Sequence, residues 1–291
     1  MLDAFFKGEL EVFDQACREP GATIHNVFGK LHDDDLWNLL LLKEYTGREG
    51  IRSLLPDWPP HQMQIDWVGN AGYPLSIQSM GFYRKIKDYY RNFGAKLLPQ
   101  SRVLDFGCGW GRLTRYFAKD VPSGMLYGCD VDPKILALCR ELRVPGILRQ
   151  SAVRPSSLPF EEPFDLVFAF SVFTHLSEAS HMESLGAIHH ALSPGGILVA
   201  TIRPRSFIDL RGIELKHANE KEIQRLYRAY DSGQYAFHPY QLAPVDGDIP
   251  YGDTCVPISY VQCRWNRLFE LLGVGVYPED QQQIPLVLRR R

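Results

Sequence analysis

The sequence predicts an α/β protein built on a doubly wound, mostly parallel sheet. Three observations carry this. "VLDFGCGWGRLTRYFA" (Val103–Ala118) runs from a buried strand through a glycine-rich turn into an amphipathic helix. From about 101 to 204, short apolar segments alternate with helical ones, the pattern of a parallel sheet covered on both faces. A "SPGG" turn leads into a further apolar strand, "GILVATIRP".

Taken in order, residues 1–95 form a helical N-terminal extension. In "HDDDLWNLLLLKEYTG" an aspartate caps a helix that Gly47 can end, "SLLPDWPPH" is a proline-marked break, and "SIQSMGFYRKIKDYYRNFG" is a second helix ending at Gly94. In the domain 96–291, "RVLDFG", "MLYGCDVD", "GILRQSA" and "FDLVFAFS" read as strands. "RLTRYFAKD", "PKILALCREL" (capped by Asp132 before Pro133) and "EASHMESLGAIHHAL" read as helices. Residues 205–254 break the rhythm with one polar helix, "NEKEIQRLYRAYDSG", and the irregular "YAFHPYQLAPVDGDIPYGD". So long a segment marks a functional insert, here one that covers a substrate. "SYVQCRWNRLFELLG" then predicts a helix, and "VGVYPED" with "IPLVLRRR" a closing pair of strands.

Composition narrows the function classes. The 291 residues are 45% hydrophobic and 23% charged, ordinary for a chain able to bury a full core. A net charge of −2 carries no basic footprint for nucleic acid. No stretch reaches the ~18 apolar residues of a membrane span. The start lacks a secretory pattern, and the six cysteines include no C-x-x-C pair, which together point to reduced thiols in a cytoplasmic protein.

The glycines select among ligands. A P-loop would need Lys-Ser or Lys-Thr after them, and none follows. A dinucleotide fingerprint would place its third glycine at 112, where Arg112 stands. The spacing is instead G-x-G-x-G (Gly107, Gly109, Gly111), with Asp105 two residues ahead. This resembles motif I of the class I S-adenosylmethionine (SAM) dependent methyltransferases. "LYGCDVDP" places Asp130 at the end of the second strand, and "FDLVFAFSVFTHLSE" and "HHALSPGGILVATIRP" resemble the family's later landmarks. The resemblance covers about 96–204 and the 255–291 tail.

It implies a seven-stranded Rossmann-like methyltransferase fold, with the insert before the last helix and strand pair. It implies SAM as cofactor and S-adenosylhomocysteine (SAH) as product. Asp105 would meet the methionine ammonium, Gly107, Cys108, Gly109 and Gly111 would line the turn, and Asp130 with Val131 would hold the ribose. Gln150 and Ser151 would face adenine, where many relatives carry an acid, and Phe170 would border the site. Cys108 is otherwise a small apolar filler. "FSVFTHL" lacks the carboxylates of Mg²⁺-using relatives, so no metal is expected.

Within the family, "FGCGWGRLTRYF", "FSVFTHLSE" and "YGDTCVPISYV" resemble bacterial tailoring enzymes. The implied reaction is O-methylation of a saccharide or other small hydroxylated metabolite, with a small-molecule or glycan acceptor as partner. His175 and His238 are the candidate bases, His175 preferred for its place at the sheet edge. Arg203, Arg205, Tyr240 and Tyr251 are candidate acceptor contacts. An N-methyltransferase of an amine or peptide, or a non-catalytic SAM-binding scaffold, would share every cofactor landmark.

Overall fold

The computed structural model describes residues 6, 8–94, 96–214 and 220–291. Residues 1–5, Lys7, Ala95 and 215–219 lie outside the described residues, so parts of the predicted extension and insert do too. The N-terminal part is helical: α1 (Leu10–Arg18), α2 (Ile24–Phe28), α3 (Asp33–Leu42), α4 (Glu49–Leu54), α5 (His61–Val68) and α6 (Gly72–Phe93). Then follow β1 (Val103–Phe106), α7 (Thr114–Phe117), β2 (Leu126–Asp130), α8 (Pro133–Glu141), β3 (Ile147–Gln150), β4 (Phe164–Ala169), α9 (Glu178–Ala191) and β5 (Leu192–Ile202). The rest comprises α10 (Ser206–Glu214), α11 (Glu220–Asp231), β6 (Ala236–Pro239), β7 (Gly252–Cys255), α12 (Ile258–Arg264), β8 (Phe269–Val274) and β9 (Ile284–Arg290).

Seven strands hydrogen-bond in the order β3-β2-β1-β4-β5-β9-β8, and β6 pairs with β7 in a separate ribbon. β1 with β2, β2 with β3 and β4 with β5 are parallel, whereas β9 runs antiparallel to both β5 and β8. This is the doubly wound methyltransferase fold that the sequence predicts. The chain divides into two compact units, residues 1–87 with 96–150, and residues 88–95 with 151–291.

In the first unit, local chemistry sets the helices. His32 caps α3 by accepting from the Asp34 amide, three aspartates fill its first turn, and Leu36, Leu39 and Leu40 bury one face. Asp132 accepts from the Lys134 amide at 2.8 Å, and Pro133 opens α8, as expected. A polar cluster joins the start of α3 to the end of α7. Lys87 and Lys119 each reach Asp33 Oδ1 at 2.9 Å, Lys87 also reaches Asp120 Oδ1 at 2.9 Å, and the buried Tyr83 donates to Asp120 Oδ2 at 2.5 Å. Burial alone would raise the Asp33 carboxyl, but hydrogen bonds from Lys119 and Lys87 hold it down at about 2.

In the second unit the structure corrects two readings. "FELLGV" is strand β8, not the continuation of a helix, and α12 ends at Arg264. Its apolar residues keep helical spacing, but the long-range pairing of Phe269–Val274 with β9 overrides that local signal. The segment "YAFHPYQLAPVDGDIPYGD" is also less irregular than expected. It contains β6 and the first half of β7, with Ala236 of β6 and Cys255 of β7 buried against Ile208 and Leu226 of α10 and α11. β7 is anchored to the residues after β4: Gly252 N donates to His175 O at 2.8 Å and Thr254 N to Thr174 O at 3.0 Å.

Lys119→Met removes one of the two lysines that meet Asp33 and Asp120, and urea denaturation should show a loss of about 3 kcal/mol. Because Asp33 is depressed when folded, its contribution is full above the ordinary carboxyl value of 3.8 and lost as pH falls toward 2. In wild type the urea midpoint should therefore drop across that window, and Lys119→Met should flatten the drop.

Candidate functional site

Two clusters of chemistry are present, one in each unit. The first is the turn after β1. Gly107, Gly109 and Gly111 have φ of 74°, 52° and 74°, all in the left-handed region that favours glycine. Gly111 is further constrained, because a Cβ there would lie 2.4 Å from Val144 Cγ1. Above Gly109 a Cβ would meet nothing within 4 Å, so the backbone there is open to a ligand.

Two carboxylates flank the turn. Asp130, at the end of β2, accepts from Gly109 N through Oδ2 at 2.9 Å and from Asp132 N through Oδ1 at 3.1 Å. Each oxygen keeps a second lone pair, so a diol could still be held by both. Burial raises its pKa, against the backbone hydrogen bonds that lower it. Asp105 is buried on β1 and accepts from Thr114 Oγ1 at 2.6 Å. Burial pushes it up to about 7, Thr114 opposes this, and the charge of Asp130 adds to it. A cation placed beside these two buried acids would relieve both.

The neighbouring predicted residues are in keeping with small roles. Cys108 is buried, and the hydrogen bond with Cys139, then burial, drives its thiol well above the ordinary range, which suits packing and not nucleophilic chemistry. Val131 is half-buried, and its carbonyl accepts from Gln150 Nε2 at 3.0 Å. Gln150 is exposed. In the second unit Ser151 is buried, and Phe170 packs edge-on against Tyr277 with centroids 5.9 Å apart.

The second cluster follows β4 and β5. Ser171, just past β4, is a non-glycine residue at φ 59°, its amide held by Thr201 Oγ1 at 2.8 Å. Such a conformation is uncommon outside constrained sites. Arg203, just past β5 and buried, donates to Asp253 Oδ1 at 2.7 Å, to Thr174 O at 2.8 Å and to His175 Nε2 at 2.9 Å. An imidazole nitrogen that accepts from a guanidinium carries its lone pair there, so Nδ1 holds the hydrogen and faces Gly252 O and Tyr240 Oη, each at 3.1 Å. Tyr240 donates in turn to Asp253 Oδ1 at 3.0 Å. His175, Arg203, Tyr240 and Asp253 thus close a ring of hydrogen bonds.

His238 lies on β6 opposite Asp253 in register, and its Nδ1 meets Glu222 Oε1 at 3.1 Å. Hydrogen bonds from Arg225 hold Glu222 down at about 2 against its partial burial, with His238 assisting. An ionised carboxylate on Nδ1 leaves the lone pair of His238 on Nε2.

The remaining predicted contacts bring no side chain into this ring in the bonds described. Arg205 is exposed and makes a two-pronged pair with Asp231 at 2.6 and 2.9 Å, away from the Arg203 ring. Tyr251 contributes its backbone, accepting from Tyr240 N at 3.0 Å and bridging to Leu176. Sequence reasoning missed Asp253 and Glu222. Asp253 was visible as a carboxylate in the apolar approach "YGDTCVPISYV", whereas nothing local marks the pairing of Glu222 with His238.

The strand order and the glycine turn are those of the Rossmann-like SAM-dependent methyltransferase fold. Residues 103–196 accordingly match the family model described as a methyltransferase domain. The trans-aconitate 2-methyltransferase of Methylobacterium nodulans is 36% identical over 102 residues, 35% of this chain and 38% of that one. The enzyme of the same name from Variovorax paradoxus is 26% identical over 153 residues, 50% of this chain and 53% of the relative. The chain thus spans about two fifths to half the length of these curated relatives. Among solved structures, the SAM-bound amino pentose methyltransferase of Micromonospora echinaspora shares the fold at TM-score 0.51 and 15% identity, over 81% of this chain and 99% of that one.

The two glycines should separate folding from ligand approach. Gly111→Ala meets both the φ restriction and Val144, and should cost about 3 kcal/mol by denaturation. Gly109→Ala meets only the φ restriction, costing about 1 kcal/mol. Its calorimetric affinity for SAH should nevertheless fall at least tenfold.

Proposed function

We propose that this chain methylates a hydroxyl of a small acceptor, a saccharide or another hydroxylated metabolite, using SAM. Bound SAM supplies an electrophilic methyl on its sulfonium. Asp130 accepts from the ribose hydroxyls with its remaining lone pairs, Asp105 balances the ammonium, and the open backbone at Gly109 lets the cofactor lie close.

The observation that carries the acceptor reading is the His238–Glu222 pair. An aliphatic hydroxyl is a poor nucleophile near neutral pH and gains from a base that removes its proton during transfer. His238 has the arrangement such a base requires: a carboxylate fixes one ring nitrogen and steadies the imidazolium that forms. His175, preferred from the sequence, has both ring nitrogens engaged by Arg203, Gly252 and Tyr240. It acts by holding the ring of hydrogen bonds that positions Tyr240 and β7. An anionic acceptor, such as the trans-aconitate in the relatives' names, is less well supported. Arg203 is already neutralised by Asp253, and Arg205 is committed to Asp231.

Incubation with methyl-labelled SAM and fractionated cell extract should label a product whose methyl resists mild alkali, as an ether does. An alkali-labile label identifies an ester and overturns the hydroxyl reading, a label on nitrogen favours the amine alternative, and SAH-tight protein without turnover favours a scaffold.

With that acceptor in hand, His238→Ala should lower kcat by about 10²–10⁴-fold with little change in SAH affinity. Glu222→Gln should lower it less, because the ring keeps a hydrogen-bond partner. A His238→Ala enzyme with near-normal kcat removes the base assignment.

A further inference from the structure

Arg115 is fully buried, yet among the described residues the hydrogen bonds of its guanidinium go to carbonyl oxygens and to no carboxylate. Nε donates to Gly111 O at 3.0 Å, NH2 to Trp110 O at 3.4 Å and NH1 to Asp57 O at 2.8 Å. The group lies over two indoles, 4.5 Å from the Trp58 ring centre and 5.0 Å from that of Trp110. Burial lowers its pKa only to about 10, so it stays charged in neutral solution. Burying a charge without a hydrogen-bonded counter-ion is costly; three carbonyls and two ring faces offset it, with the nearby Asp57 charge contributing.

Two of those carbonyls belong to the glycine turn. Two more in the turn are also held: Gly109 O accepts from Cys139 Sγ at 3.1 Å and Cys108 O from Gly111 N at 2.9 Å. Four successive peptide planes are therefore fixed, the last two by Arg115. The third carbonyl and one indole come from the N-terminal extension, and that wall is itself tied down. Trp58 Nε1 donates to Leu40 O at 2.8 Å, Asp57 N to Leu142 O at 2.8 Å, and Arg143 pairs with the Asp57 carboxylate at 2.9 Å. Leu142 and Arg143 directly precede Val144, the residue that packs on Gly111.

We propose that Arg115 is a positioning residue for the cofactor, and that Asp57 and Trp58 of the N-terminal extension, by seating it, set the shape of the SAM-binding turn. The inference rests on the SAM reading above. The extension then acts on cofactor affinity as well as on any acceptor it helps to bind. The guanidinium fork is essential, since only a planar group with several fixed donors reaches the turn and Asp57 at once while facing two rings. A lysine keeps the charge but has one nitrogen to serve both.

The test compares SAH affinity by calorimetry with backbone hydrogen exchange of residues 108–113. Arg115→Lys should weaken SAH binding at least tenfold and speed exchange in 108–113, while circular dichroism stays that of the folded protein. Lys119→Met, which costs stability outside this clamp, should leave SAH affinity within twofold, separating positioning from a general loss of stability. If Arg115→Lys does not fold, Trp58→Phe decides: it keeps an aromatic face, loses the tether to Leu40, and should weaken SAH three- to tenfold. SAH affinity within twofold of wild type in the folded variant overturns the proposal. Should the wild type itself bind no SAH, the cofactor reading fails, and exchange then judges the clamp alone. Unchanged protection of 108–113 in the variant overturns it.

Discussion

Three left-handed residues within five positions commit the backbone after β1 to glycine, and that commitment organises the first unit. A turn so rich in glycine is conformationally expensive to order, since glycine loses more freedom on folding than any other residue. It holds one shape only if its peptide planes are pinned from outside. The pins come from four sequence regions: the Asp130 carboxylate on the Gly109 amide, the Cys139 thiol on the Gly109 carbonyl, Val144 against Gly111, and Arg115 on the last two carbonyls. The glycines give access to the backbone, and their neighbours restore the rigidity that glycine surrenders.

The legible and illegible parts of the sequence divide along the same line. Gly107, Gly109, Gly111, Asp105 and Asp130 were readable because their spacing is local and each answers a local requirement: a left-handed φ, a strand end, a carboxylate beside a turn. The parallel strands β1, β2, β4 and β5 were readable because strands buried on both faces are apolar throughout. β8 was not, because Leu268, Phe269 and Leu271 continue the apolar spacing of α12, and only pairing with β9 makes them extended. β6 and β7 were hidden for a related reason. They are short, and their partners are each other and the Thr174–Ser177 segment, which no local pattern announces.

The insert shows how far residue type alone can mislead about chemistry. Two arginines follow β5 two positions apart, and sequence treats them alike. Arg203 is buried in a ring with Asp253, His175 and Tyr240, while Arg205 faces outward to Asp231. The two histidines differ in the same way. His175 occupies the position favoured by topology but spends both nitrogens on structure, whereas His238, on a strand that was not foreseen, has a carboxylate behind it. Position narrowed the choice to two residues, and their hydrogen-bond partners are what the proposed base assignment rests on.

Charge in the first unit follows one rule with two results. Asp33 and Asp105 both lose water on burial, which alone would raise both. Asp33 is met by two lysines and falls to about 2, so it is finished business: a joint between helices. Asp105 is met by a neutral hydroxyl and by the charge of Asp130, and rises to about 7. Asp105 also feels the charge of Arg112, which lowers it, and Asp130 is held by backbone amides, yet both carboxyls stay above their ordinary value, as is common for groups at binding sites. A ligand carrying a positive charge and a diol, with no phosphate, supplies both missing interactions. The raised carboxyl of Asp105 beside the Asp130 charge is thus the kind of site a positively charged ligand would relieve, in keeping with the glycine spacing.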